Sequence, residues 1–151
     1  MSVQLIDAVE LAFVSLIQAA VGTQANGYPG KSSGTKALPC FIAAADGSSL
    51  EEDPPRSGNY WVDVEVSVKA IAATEPGAGD PVLADYALAQ TVFNTLQVSN
   101  LDVLLNSQGQ LLTVMPNGFF FGTPRQLQDE EGAWVDILAI KLYCCNSILA
   151  A

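Results

Sequence analysis

The sequence predicts an α+β domain: an antiparallel β-sheet with two α-helices packed on one face, in the order α-β-β-α-β-β(-β-β). Three observations carry that prediction. Apolar residues recur at helical spacing over 3–21, apolar and polar residues alternate strictly over 59–71, and Asp80-Pro81 opens a second run of helical spacing. A helix hides one stripe and a half-buried strand one face, so stacking the two satisfies both.

The first helix takes Leu5, Ile6, Val9, Ala12, Phe13, Leu16, Ile17 and Ala20 as its apolar set, with Gln4, Asp7 and Gln18 on the other side. Leu11 and Val14 widen the stripe, which predicts two neighbours, the sheet and another subunit. Residues 22–37 are rich in Gly, Ser and Asn and are expected to form a long loop. Long loops in compact domains are usually functional, so Tyr28, Lys31 and Lys36 become candidates for docking a partner. A strand is expected over 38–46. An acidic hairpin loop follows at 47–57, with Glu51, Glu52 and Asp53 at its centre; Pro54 and Pro55 oppose regular pairing there.

Over 59–71, Tyr60, Val62, Val64, Val66, Val68 and Ala70 alternate with Trp61, Asp63, Glu65, Ser67 and Lys69, the pattern of a strand with one face on the core. Residues 72–79 read as a linker. Asp80 then suits an N-cap and Pro81 a first helical residue, with Val82, Leu83, Tyr86, Leu88, Ala89, Val92, Phe93 and Leu96 as the apolar set. From 98 onward strands are expected at 103–105, 111–115, 119–128 and 133–145. The turns between them fall at 106–109, at Pro116-Asn117-Gly118, and at 129–132 with Asp129, Glu130 and Glu131. Trp134, Asp136, Leu138, Ile140 and Leu142 share one face of the last strand.

A chain of 151 residues suits a single domain, 1–151. Half of it is hydrophobic and only 15% charged, against about 25% in a typical soluble domain. That excludes global disorder and points to surface covered by partners. The net charge is −10, and the six basic residues (Lys31, Lys36, Arg56, Lys69, Arg125 and Lys141) form no cluster. Gripping DNA or RNA is therefore not expected, although an acidic wall lets DNA slide past without sticking. No stretch is long and apolar enough to span a bilayer, and the start lacks a basic signal-peptide region, so synthesis in the cytoplasm without export is expected.

Chemistry finds little footing. With no histidine, Ser/His/Asp and Cys/His systems are excluded. Cys40, Cys144 and Cys145 show no CxxC spacing, and buried free thiols are expected rather than a zinc site. Gly30-Lys31-Ser32 looks like the end of a phosphate loop, but the glycine expected five residues earlier is Ala25 and Pro29 interrupts the run. Asp63 and Glu65 share a strand face and could hold a divalent metal or do acid/base work; a solvated outer face near Lys69 is the preferred reading. The acidic turns either protect strand edges or present a negative patch to a lumen or a basic partner. In Phe119-Phe120-Phe121, successive rings point to opposite faces, so at least one must leave the core unless a second layer covers it. These rings, with Leu11, Val14 and Trp61, are the candidate subunit interface.

The order of elements resembles the tail terminator proteins of long-tailed bacteriophages. The likeness rests on the helix at 3–21, the strand Tyr60-Trp61-Val62-Asp63-Val64-Glu65-Val66, the helix opened by Asp80-Pro81, and the closing strand through Trp134-Val135-Asp136-Ile137-Leu138. The resemblance implies a structural virion protein without catalytic residues or cofactors. It implies a homo-oligomeric ring, usually of six copies, that caps the tail tube and docks to the head-tail connector or neck, with DNA passing through. The alternative is an assembly chaperone or protein-binding module absent from the finished virion. A small carboxylate enzyme using a divalent metal is the third reading, and it requires metal binding at Asp63 and Glu65.

Overall fold

The computed structural model describes residues 2–30, 36–52, 58–70, 81–128 and 133–146. Helix α1 (Ser2–Val21) forms where the apolar spacing predicts it. Leu5, Val9, Ala12, Phe13, Leu16 and Ile17 are buried along one stripe. Each of these side chains larger than Ala12 contributes about 1.5–3 kcal/mol on burial. Residues 22–37 are not all loop, because strand β1 (Asn26–Pro29) runs parallel to β2 (Cys40–Glu52), with Asn26 opposite Cys40. The sheet is therefore mixed and not purely antiparallel.

Gln18, expected on the polar side of α1, is what shapes this turn. Its Nε2 donates to the carbonyls of Gly22 and Ala25, both at 2.8 Å, and its Oε1 accepts from the amide of Gly27 at 3.0 Å. Glu10 acts one step further on. It is only 2% exposed, and its Oε2 accepts from the amide of Ala45 at 2.9 Å, just past the end of β1. A carboxylate thus takes over where strand pairing stops, which is what a buried amide requires. Gly30 makes room for it. A Cβ there would lie 2.6 Å from Ala44 Cβ and 2.8 Å from Glu10 Oε2.

Strand β2 continues into the segment expected as an acidic hairpin loop, as far as Glu52; 53–57 lie outside the described residues. Asp46 lies opposite Asp63, the register then shifts, and Glu51 and Glu52 pair with Trp61 and Tyr60 of β3 (Tyr60–Lys69). The extra residues 47–50 form a bulge opposite Val62. Along β3 the alternation holds, with Val62, Val64, Val66 and Val68 all buried. Helix α2 (Pro81–Leu96) follows, burying Ala89, Val92, Phe93 and Leu96. The linker at 72–79 and the Asp80 cap lie outside the described residues.

The expected strand at 103–105 is instead a short helix, α3 (Leu101–Asn106). Leu101 and Leu105, four apart, are the buried pair, so the helical period wins over the alternating one. Asn106 then brackets β4 (Thr113–Phe121). Its Nδ2 donates to the Val114 carbonyl at 3.1 Å and its Oδ1 accepts from the Val114 amide at 2.7 Å. Pro116-Asn117-Gly118 is not a turn between strands. It is a bulge within β4, between Val114 opposite Cys144 and Phe119 opposite Leu142 of β6 (Trp134–Cys145). Asn117 takes a φ of 57° there. The predicted strand 119–128 breaks after Phe121 and resumes as β5 (Arg125–Gln128), which also pairs with β6.

Among the described residues, the six strands lie in the order β1-β2-β3-β6-β4, with β5 beside β6 in line with β4. The buried residues of all three helices join one core with Phe41, Ala43, the four valines of β3, and Leu138, Ile140 and Leu142. All three helices thus lie on one face, an α+β fold with one helix more than expected. No helix among the described residues is long and apolar enough to cross a membrane.

Candidate interaction surface

The other face of the sheet reads as rows across the strands. Trp61 lies opposite Tyr143; the next row is Asp46, Asp63, Lys141 and Phe120; then come Ala44, Glu65 and Ala139; then Ile42, Ser67, Ile137 and Arg125. The first two rows hold an aromatic cluster. The Trp61 ring centroid is 4.8 Å from that of Tyr143 and 5.6 Å from that of Phe120, and Lys141 Nζ sits 5.8 Å from the Trp61 ring. Tilted ring pairs at such distances and a cation over an indole are each favourable.

Beside the cluster the side chains shrink. Ala44 and Ala139 sit in one row, and the amide of Gly122 donates to the Ala139 carbonyl at 2.8 Å. This leaves a depression of about 580 Å³, bounded by Phe120 toward β4 and by Asp46 toward β2, with Asp63 and Glu65 between. Glu65 Oε2 meets the Arg125 guanidinium at 3.8 Å, with both side chains exposed. Asp63 and Glu65 thus lie on the outer face as expected. Among the described residues, no group of three or more His, Cys, Asp or Glu is placed to hold a metal ion.

The two bulges lie one row apart, residues 47–50 opposite Val62 and 115–118 opposite Tyr143, which pairs with Trp61. Bulges bend strands and tighten their twist, and these two flank the aromatic cluster. Beyond Ala43, where β1 ends, β2 itself forms the edge, and Glu10 occupies its Ala45 amide; elsewhere the edges are short or broken. β1 is four residues long and ends in Pro29, while the β4–β5 edge is interrupted by its bulge and by residues 122–124. Such edges resist strand addition, which leaves the outer face as the broader contact surface.

The candidate interface residues separate in space. Phe120 is 61% exposed and joins Trp61 on the outer face, while Phe119 and Phe121 pack together at 5.5 Å against the helix-side core. Leu11, 42% exposed on α1, lies away from this face, and Val14 packs against the core. Lys36 Nζ lies 5.7 Å from the Tyr28 ring, and the Ala37 amide donates to Tyr28 Oη at 3.1 Å, so these two docking candidates do meet. Lys31, Asp53, Asp129, Glu130 and Glu131 lie outside the described residues, as do the side chains of Glu51 and Glu52. Tyr143 and Lys141 were not singled out by sequence; only the β3–β6 register reveals that they share a face with Trp61.

The cysteines are free. Cys40 and Cys144 are buried, and Cys145 is half-buried. Burial, reinforced by the neighbouring Cys145, pushes the Cys144 thiol up to about 12. No protein-family model matches the chain, and no curated protein matches it.

Proposed function

We propose that the chain is a structural subunit that assembles through the open face of its sheet, as a ring-forming tail terminator or neck protein of a long-tailed phage. The observation that carries this reading is the Trp61–Tyr143–Phe120 cluster on the sheet face opposite the described helices. Clustered aromatics beside a concave patch are what interface hot spots are made of. The order of elements and the net charge of −10 suit a ring that DNA crosses without being gripped. In this reading the partners are further copies of the chain, the tail tube protein and the head-tail connector, and the protein resides in the virion.

The test is native mass across a wide concentration range, alone and with preformed tail tubes. A closed ring of six 15.9 kDa chains gives about 95 kDa. A ring that forms alone or on the tube end, and is lost on Trp61→Ala, supports the proposal. A monomer that neither caps tubes nor is retained in purified virions overturns it.

A further inference from the structure

A second cavity lies on the helix side, between α2 and the β5–β6 pair, and the assembly reading makes no use of it. It holds about 330 Å³. Its walls are of two kinds. Ala89, Phe93 and Pro124 are apolar, while Gln90, Asn94, Gln97 and Gln126 bring carboxamides; Arg125 borders it too, with its guanidinium directed to Glu65 at 3.8 Å. Asp136 also lines it, and is only 7% exposed. The register explains why a carboxylate is here. Asp136 sits opposite Val68, between Trp134 and Leu138 on the inward face of β6, so a carboxylate side chain interrupts an otherwise apolar strand face.

One carboxylate oxygen is left over. The Gln126 side chain hydrogen-bonds the group, but Asp136 Oδ2 is buried and finds no hydrogen-bond partner among the described residues. A buried acceptor without a donor costs roughly 1–3 kcal/mol, more when charged. The neighbouring Arg125 does not supply the donor, because its guanidinium reaches the outer face and Glu65. Carboxamides can orient a ligand here, but none carries the positive charge that a carboxylate in a cavity recruits.

We propose that this cavity binds an alkyl-ammonium or alkyl-guanidinium group, its stem against Phe93 and Pro124 and its cationic head on Asp136. The carboxamides of Asn94, Gln97 and Gln126 accept the remaining N–H bonds at the rim. The net charge of −10 draws such cations toward the chain. The same chemistry is carried by a free polyamine and by a lysine or arginine of a partner protein.

The test is an NMR titration of the isotope-labelled full chain with agmatine, with butylamine and with uncharged butanol. Saturable shifts at Phe93, Asn94 and Gln126 are expected with the two cations and not with butanol. Asp136→Asn keeps the shape and removes the charge, and is expected to weaken binding roughly thirtyfold or more, the cost of losing one member of a buried charge pair. Asn94→Lys, on an exposed helix position, sets a rival cation at the rim and is expected to weaken binding without touching the core. N-acetyl-arginine methylamide identifies the source: binding as tight as that of agmatine assigns the cavity to a protein side chain, and binding only of free amines assigns it to small polyamines. Equal response to butanol, no saturable shift, or undiminished binding in both variants overturns the proposal.

Discussion

The two faces of β3 are built from the same ten residues and obey opposite rules. On the inner face, Val62, Val64, Val66 and Val68 are closed off by helices and by their partners on β2 and β6. On the outer face, Trp61, Asp63, Glu65 and Ser67 combine a large ring, two carboxylates and a small hydroxyl. The inner face is chosen for volume alone. The outer face mixes size, charge and gaps, which is how a surface meant for recognition differs from one meant for packing. Stability should therefore be governed from one side of the strand and assembly from the other.

Adjacent positions break or sharpen that contrast most directly. Val66→Asp sets a charge in the apolar interior and is expected to cost more than about 4 kcal/mol, enough to prevent folding. Ser67→Asp, one residue along, is expected to stay within about 1 kcal/mol of the parent in urea unfolding. Similar losses at the two sites would end the idea of two separate roles. Glu10→Ala leaves the Ala45 amide without its acceptor and is expected to cost about 1–3 kcal/mol, with faster amide exchange at Ala45.

Asp136 is the exception on the inner face, and pH reports on it. Burial raises its pKa above the ordinary carboxylate value, while the Gln126 hydrogen bond pulls the other way. The folded chain therefore holds this proton more tightly than the unfolded chain, so the group's contribution to stability falls as pH rises through that window. Asp136→Asn is expected to raise Tm at pH 7 and to leave it unchanged below about pH 3. The smallest expected effect on stability is on the outer face. Phe120→Ser should shift unfolding by less than about 0.5 kcal/mol and yet abolish assembly in native mass measurements.

Much of this was legible in the chain. The spacing of Leu5 to Ile17, the alternation of Val62 to Val68 and the helical spacing from Leu88 to Leu96 each stated an element, because periodicity is local. That at least one ring of Phe119-Phe120-Phe121 leaves the core followed from simple alternation; that it is Phe120 came from its register with Lys141. What stayed hidden depended on partners distant in sequence. Asn26–Pro29 has no strand-like composition and becomes a strand where Gln18 holds the Gly27 amide and β2 supplies the ladder, with Glu10 taking over at Ala45. Glu51 and Glu52 read as loop because a bulge conceals the resumption of pairing. Val103–Leu105 read as strand because a six-residue helix is too short to display its period. The aromatic cluster needed the β3–β6 register, which no local pattern contains.

Cys144 and Cys145 stand next to each other on β6 and so sample its two faces. Cys144 is buried, with its thiol pushed up to about 12; Cys145 is half-buried, and its partner in the ladder is Thr113, on the far side of the β4 bulge from Phe120. The chain thus carries its own pair of optical reporters. A thiol dye titrated into the native protein marks Cys145 first, and its emission reads what arrives on the outer surface. Cys144, like the buried Cys40, takes up dye only when the core opens, so a single labelling curve separates docking from unfolding.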